Sequence, residues 1–90
     1  MKYRKISIVE AIQYNGNNYK EICNFIGEEN VYEPMIKYKP EELIVATSKG
    51  STIISKGDFI IKDINGVDTC NCQVFKDLYE PITEEYLKNY

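Results

Sequence analysis

The segment Ser51 to Cys72, STIISKGDFIIKDINGVDTCNC, organises this chain, because it alternates short apolar runs with turn signals. Thr52-Ile53-Ile54 is followed by Lys56-Gly57-Asp58, then Phe59-Ile60-Ile61, then Asn65-Gly66, then Val67 onward. This spacing predicts three short strands folded back on one another. Asn-Gly is the strongest of the turn signals: a two-residue type I′ turn needs φ > 0 at both central positions, and these two residues tolerate it.

The flanking sequence supplies the rest of an α+β domain. Ile6, Ile8, Ile12 and Tyr14 share one parity, as the inward face of a strand does, while Glu10 breaks the pattern. Either Glu10 is solvated at a bulge or strand end, or it points inward towards a partner. Asn15 to Asn18 is a turn, and Asn18 with Glu21 has the spacing of a capping box. A helix from Tyr19 to Ile26 follows, with Tyr19, Ile22, Cys23 and Ile26 on one stripe and Gly27 at its end. Glu28 to Glu33 reads as a polar loop, Met35 to Tyr38 as a short strand, and Leu43 to Thr47 as a central strand buried on both faces. Val74, Phe75 and Leu78 have helical spacing that ends before Pro81, and Thr83 opens a last short helix towards Tyr90. The expected fold is therefore α+β: a small, mostly antiparallel sheet of five or six strands or an open barrel, with one helix packed on it and short C-terminal helices.

With 90 residues, residues 1–90 form a single domain that hides roughly 60 to 65% of the surface its unfolded form exposes. That leaves room for one modest core and argues against a deep, enclosed cleft. Apolar residues at 43% and charged residues at 28% are ordinary for a folded domain. The longest apolar runs, such as Leu43 to Ala46, fall far short of the ~20 residues a membrane helix needs. The basic start at Lys2, Arg4 and Lys5 is followed by a stretch interrupted by Ser7, Glu10 and Gln13, unlike a signal peptide. An intracellular protein without membrane contact is expected.

Three cysteines form a poor disulfide framework. Cys70 and Cys72, one residue apart in a strand, would share a face. With no histidine and only Cys23 besides, a zinc site would need carboxylates or a second chain to complete four ligands, so mostly buried, reduced thiols and no metal or cofactor are expected. The net charge of −3 weighs against direct binding to duplex DNA, whose affinity comes largely from neutralised phosphates. Cations nevertheless cluster at Lys2, Arg4 and Lys5 and along Lys37 to Lys62, while Glu28-Glu29, Glu41-Glu42 and Glu84-Glu85 are acidic pairs.

Several of these segments together resemble a family of small uncharacterised proteins encoded by phages and prophages of Firmicutes. The likeness spans nearly the whole chain: the Met1-Lys2-Tyr3-Arg4-Lys5 start, the strand ending Val9-Glu10-Ala11-Ile12-Gln13-Tyr14, the turn and strand Lys56-Gly57-Asp58-Phe59-Ile60-Ile61-Lys62, and the tail Val74-Phe75 to Tyr79-Glu80-Pro81. The chain departs from that pattern at Val67 to Cys72, where the family carries an aromatic and a proline around a single cysteine. The resemblance implies a viral accessory protein in the host bacterial cytoplasm and brings no catalytic residues with it.

Nothing in the sequence supports catalysis. Serine or cysteine nucleophiles usually need a histidine as base, and neither Gly57 nor Gly66 opens a phosphate-binding loop before a helix. Binding is better supported: eight tyrosines offer contact area at low entropic cost, with Tyr14 and Tyr19 expected in the core. Two readings follow. A sponge for a nucleotide immune signal would pair phosphates with Arg4, Lys5 and Lys56 and stack a base on Tyr38. An inhibitor of a defence effector, such as an anti-CRISPR, would instead cover a basic protein surface with Glu28, Glu29, Glu84 and Glu85. A structural or regulatory phage protein is the third reading. Homo-oligomerisation would serve either binding mode by covering sheet edges.

Overall fold

The computed structural model describes residues 1–3, 8–32 and 41–82. Its elements run in the order β1 (Glu10–Gln13), α1 (Tyr19–Ile26), a 3-10 turn (Glu28–Asn30), β2 (Val31–Tyr32), β3 (Glu42–Thr47), β4 (Gly50–Ser55), β5 (Phe59–Asp63), β6 (Gly66–Cys70) and α2 (Cys72–Leu78). The fold is α+β, and every strand pairing among the described residues is antiparallel. The strands divide into two three-stranded sheets, ordered β1-β5-β6 and β2-β3-β4.

The division falls inside the segment expected to be a three-stranded meander. β4 and β5 do not pair with each other. Between them Ser55 to Asp58 is a tight turn: the Asp58 amide donates to the Ser55 carbonyl at 3.0 Å, and Gly57 holds the positive φ, +100°, that the third position of a type II turn requires. The Asp58 carboxylate also accepts the Ser55 amide at 2.9 Å. The turn therefore passes the chain from one sheet to the other. The end of β1 clamps it, because Tyr14 donates to the Asp58 carbonyl at 2.9 Å and accepts from the Gly57 amide at 2.7 Å.

The two true hairpins are built alike, and neither is type I′. Thr47 pairs with Gly50, and Asp63 with Gly66, so the central residues are Ser48-Lys49 and Ile64-Asn65. No described non-glycine residue has positive φ, whereas Gly66 sits at +117°. In each hairpin the side chain before the turn accepts the amide two residues on: Thr47 Oγ1 from Lys49 at 3.2 Å, and Asp63 Oδ1 from Asn65 at 2.8 Å. These ST- and Asx-type bonds fix the first bend, and the following glycine completes a bulge-type closure. Asn65-Gly66 thus marks the hairpin without being its centre. Centred on those two residues, the turn would set Asp63 directly opposite Asp68. The observed register puts Gly66 opposite Asp63 and Ile61 opposite Asp68, which relieves a like-charge cross-strand pair.

α1 spans the residues its periodicity predicts and buries Ile22 and Ile26. These join Tyr14, Val31, Leu43, Val45, Ile54 and Ile60 in one core, so both sheets and the helix contribute to it. Fully burying an aliphatic side chain of this kind contributes about 1.5–3 kcal/mol, which is what holds an eight-residue helix too short to persist alone. Lys62 strengthens the attachment: its Nζ donates to the Phe25 carbonyl at 2.8 Å and lies 4.7 Å from the centre of the Phe25 ring.

Several local expectations need correction. Asn18 does not cap α1 with its side chain. It is 7% exposed and turns back, accepting the Asn15 amide at 2.9 Å and donating to the Gln13 carbonyl at 2.8 Å, so it closes the β1–α1 loop. The polar loop after Gly27 contains the 3-10 turn and β2, because Val31 is buried and pairs with Val45. β3 is central in its sheet, but its burial alternates, with Leu43 and Val45 covered and Ile44 half exposed. Glu10 begins β1 in the open, 4.0 Å from Lys62 across the strand pair. Of the stripe expected on α2, Val74 and Leu78 are exposed and no residue is fully buried. The strand expected at Met35 to Tyr38 and the helix expected from Thr83 lie outside the described residues.

Candidate functional site

The β1-β5-β6 sheet has two differently used faces. Since directly paired residues share a face, Ile12, Ile60 and Val67 point to the core, whereas Ala11, Gln13, Phe59, Ile61, Asp63, Asp68 and Cys70 point the other way. α2 lies on this second face. Phe75 stacks on Phe59 with ring centres 3.8 Å apart and planes 1° from parallel, and Tyr79 stacks on Phe75 at 5.1 Å and 28°. Asn71 fixes the start of α2 by accepting the Val74 amide at 2.9 Å.

Beyond Tyr79 the face opens into a cleft of about 230 Å³ lined by Ser48, Lys49, Ile61, Asp63, Asn65, Gly66, Val67, Asp68 and Tyr79. Ile61, which is buried, contributes its apolar surface to the lining. The β3–β4 turn forms another side and is tied down there: the Ser48 amide donates to the Val67 carbonyl at 3.0 Å, and Ser48 Oγ donates to the same oxygen at 3.3 Å. Gly66 is part of the lining, and a Cβ there would approach Ser48 Cβ to 3.4 Å.

Among the described residues the cleft is lined by one cation, Lys49, and two anions, Asp63 and Asp68. Asp63 and Asp68 are diagonal neighbours on adjacent strands, about 7–8 Å apart in backbone terms. Each uses one oxygen locally, Asp63 on the Asn65 amide and Asp68 on the Thr69 amide at 2.8 Å. Among the described residues neither carboxylate forms an ion pair, and neither does Lys49. The field of this face reaches Cys70, whose thiol is pushed up by burial first, then by Asp68, Asp58 and Cys72. Cys72 opens α2 and does not continue β6, so the two thiols do not share a strand face. Gln13 lies beside Cys72, with Nε2 4.0 Å from Sγ. All three cysteines are free and half-buried, more accessible than the sequence suggested. No group of three or more His, Cys, Asp or Glu among the described residues is placed to hold a metal.

Of the residues the sequence proposed for phosphate binding, Arg4, Lys5 and Tyr38 lie outside the described residues. Lys56 is described and exposed, with its Nζ 3.8 Å from Glu41. Of the acidic pairs, Glu28 and Glu29 are exposed on the 3-10 turn, away from the cleft lining, and Glu84 and Glu85 lie outside the described residues. Tyr14 is core, as expected, and Tyr19 packs half-buried against it. The cleft itself was not foreseen. No helix among the described residues is long and apolar enough to cross a membrane. No family model, curated protein or solved structure matches the chain.

Proposed function

We propose that this protein acts by binding, without catalysis, and that its target is a protein presenting a basic surface. The observation that carries this reading is the charge of the cleft: among the described residues, two carboxylates without ion pairs and one lysine line it. Such a site favours a cationic partner and opposes a nucleotide phosphate. The resemblance to phage and prophage proteins supplies the setting, an accessory protein of the host bacterial cytoplasm that antagonises a defence effector. Capture of a cyclic nucleotide by Arg4, Lys5, Tyr38 and Lys56 is the competing outcome.

Affinity capture from host cells, comparing the natural protein with Asp63→Asn combined with Asp68→Asn, separates the two. The protein reading expects a basic protein retained by the former and lost from the latter, with no heat on titrating cyclic nucleotides. A cyclic nucleotide that releases heat, with binding intact in the double variant and lost in Lys56→Ala, would replace it.

A further inference from the structure

We propose that the cleft between the β5–β6 hairpin and Tyr79 receives a single arginine side chain of the partner. This rests on the reading that the target is a protein, and it names the group that enters. At about 230 Å³ the cleft is below the roughly 300–1,000 Å³ of sites for whole small-molecule ligands. It is of the scale of one long side chain. Its walls match the three parts of arginine: buried Ile61 offers apolar surface to the methylene stem, Tyr79 offers a ring, and Asp63 and Asp68 each keep one carboxylate oxygen without a protein partner among the described residues.

Guanidinium suits this set better than ammonium. It is planar, stacks on aromatic rings, is weakly hydrated, and spreads its donors in a fork that reaches two acceptors at once. Tyr79 is already held by its stack on Phe75, itself stacked on Phe59 in β5. The ring therefore gives up little freedom when a second plane lies against it. Among the described residues Lys49 is the one lining group that opposes a cation, and it supplies the sign test: removing its charge tightens binding of a cation and weakens binding of an anion.

The test is a titration of isotope-labelled protein followed by amide chemical shifts. The probes are N-acetylarginine amide, its neutral isostere N-acetylcitrulline amide, and inorganic phosphate. Arginine amide is expected to shift Asn65, Gly66, Val67 and Asp68, and citrulline amide to leave them in place. Asp68→Asn weakens the arginine response about tenfold, the effect of losing one charge-assisted hydrogen bond at a partly exposed site. Tyr79→Leu also weakens it, whereas Lys49→Gln strengthens it about two- to fivefold, the scale of one exposed charge pair. Equal shifts with citrulline amide, no shift with either amide, or a phosphate response lost in Lys49→Gln would each overturn the proposal. Any of these could occur while capture of a basic protein still depended on Asp63 and Asp68, so failure of the pocket is distinguishable from failure of the protein-target reading.

Discussion

Asn18 concentrates more structural consequence in one side chain than any other described polar residue, since it is buried and both ends of its amide are used. Asn18→Leu would leave the Asn15 amide and the Gln13 carbonyl unsatisfied beside the core, and should cost on the order of 1–3 kcal/mol in chemical denaturation. Asn18→Asp keeps the acceptor for Asn15 but sets a carboxylate oxygen against the Gln13 carbonyl. Its deficit should therefore grow as pH rises through the ordinary carboxylate range. Cys70 offers a second test. Its folded-state pKa lies above the ordinary thiol value of 9.0, so its contribution to stability is present below the unfolded pKa and is lost as pH rises through the folded one. Alkylation of the folded protein should show a midpoint for Cys70 above that of the unfolded chain, and Asp68→Asn should bring it down. A midpoint unmoved by Asp68→Asn would remove that carboxylate from the field acting on the thiol.

The hairpins show how far local signals carry at the level of elements. Gly66→Val should destabilise by on the order of 1–3 kcal/mol, because φ is +117° and the new side chain meets Ser48. Asn65→Ala should change stability by no more than about 0.5 kcal/mol beyond the loss of a turn preference, since Asn65 does not have positive φ. A type I′ turn would make both substitutions costly, so equal unfolding midpoints for the two variants would restore it. α1 was legible to the residue because Ile22 and Ile26 repeat at helical spacing and Gly27 ends the run. β2 was not, since a two-residue strand with one buried valine has no periodicity to detect. The cleft was hidden for a different reason. Its parts come from two turns, from β5 and β6, and from Tyr79 beyond a helix, and the register that places Ile61 opposite Asp68 assembles them. The alternation of Phe59, Ile61 and Asp63 with Asp68 and Cys70 was a usable signal, given the hairpin.

Across the whole molecule, stability should follow the order of burial. β3 and β5 are central in their sheets and supply Leu43, Val45 and Ile60 to the core, whereas α2 buries no residue completely. Native-state hydrogen exchange should therefore find the amides of β3 and β5 opening near the global unfolding free energy and those of α2 opening well below it. Equal protection of α2 and β3 would contradict this ranking. The two sheets also differ in how far along the chain their partners lie. Glu10 pairs with Lys62, whereas β3 meets β4 across a two-residue turn. On the ribosome β1 is therefore made before the other described strands, and β5, its strand partner among the described residues, follows only after α1, β2, β3 and β4. A strand made early is thus satisfied late, and until β5 arrives it is Glu10 and Gln13, flanking Ala11 and Ile12, that the nascent segment shows to its surroundings.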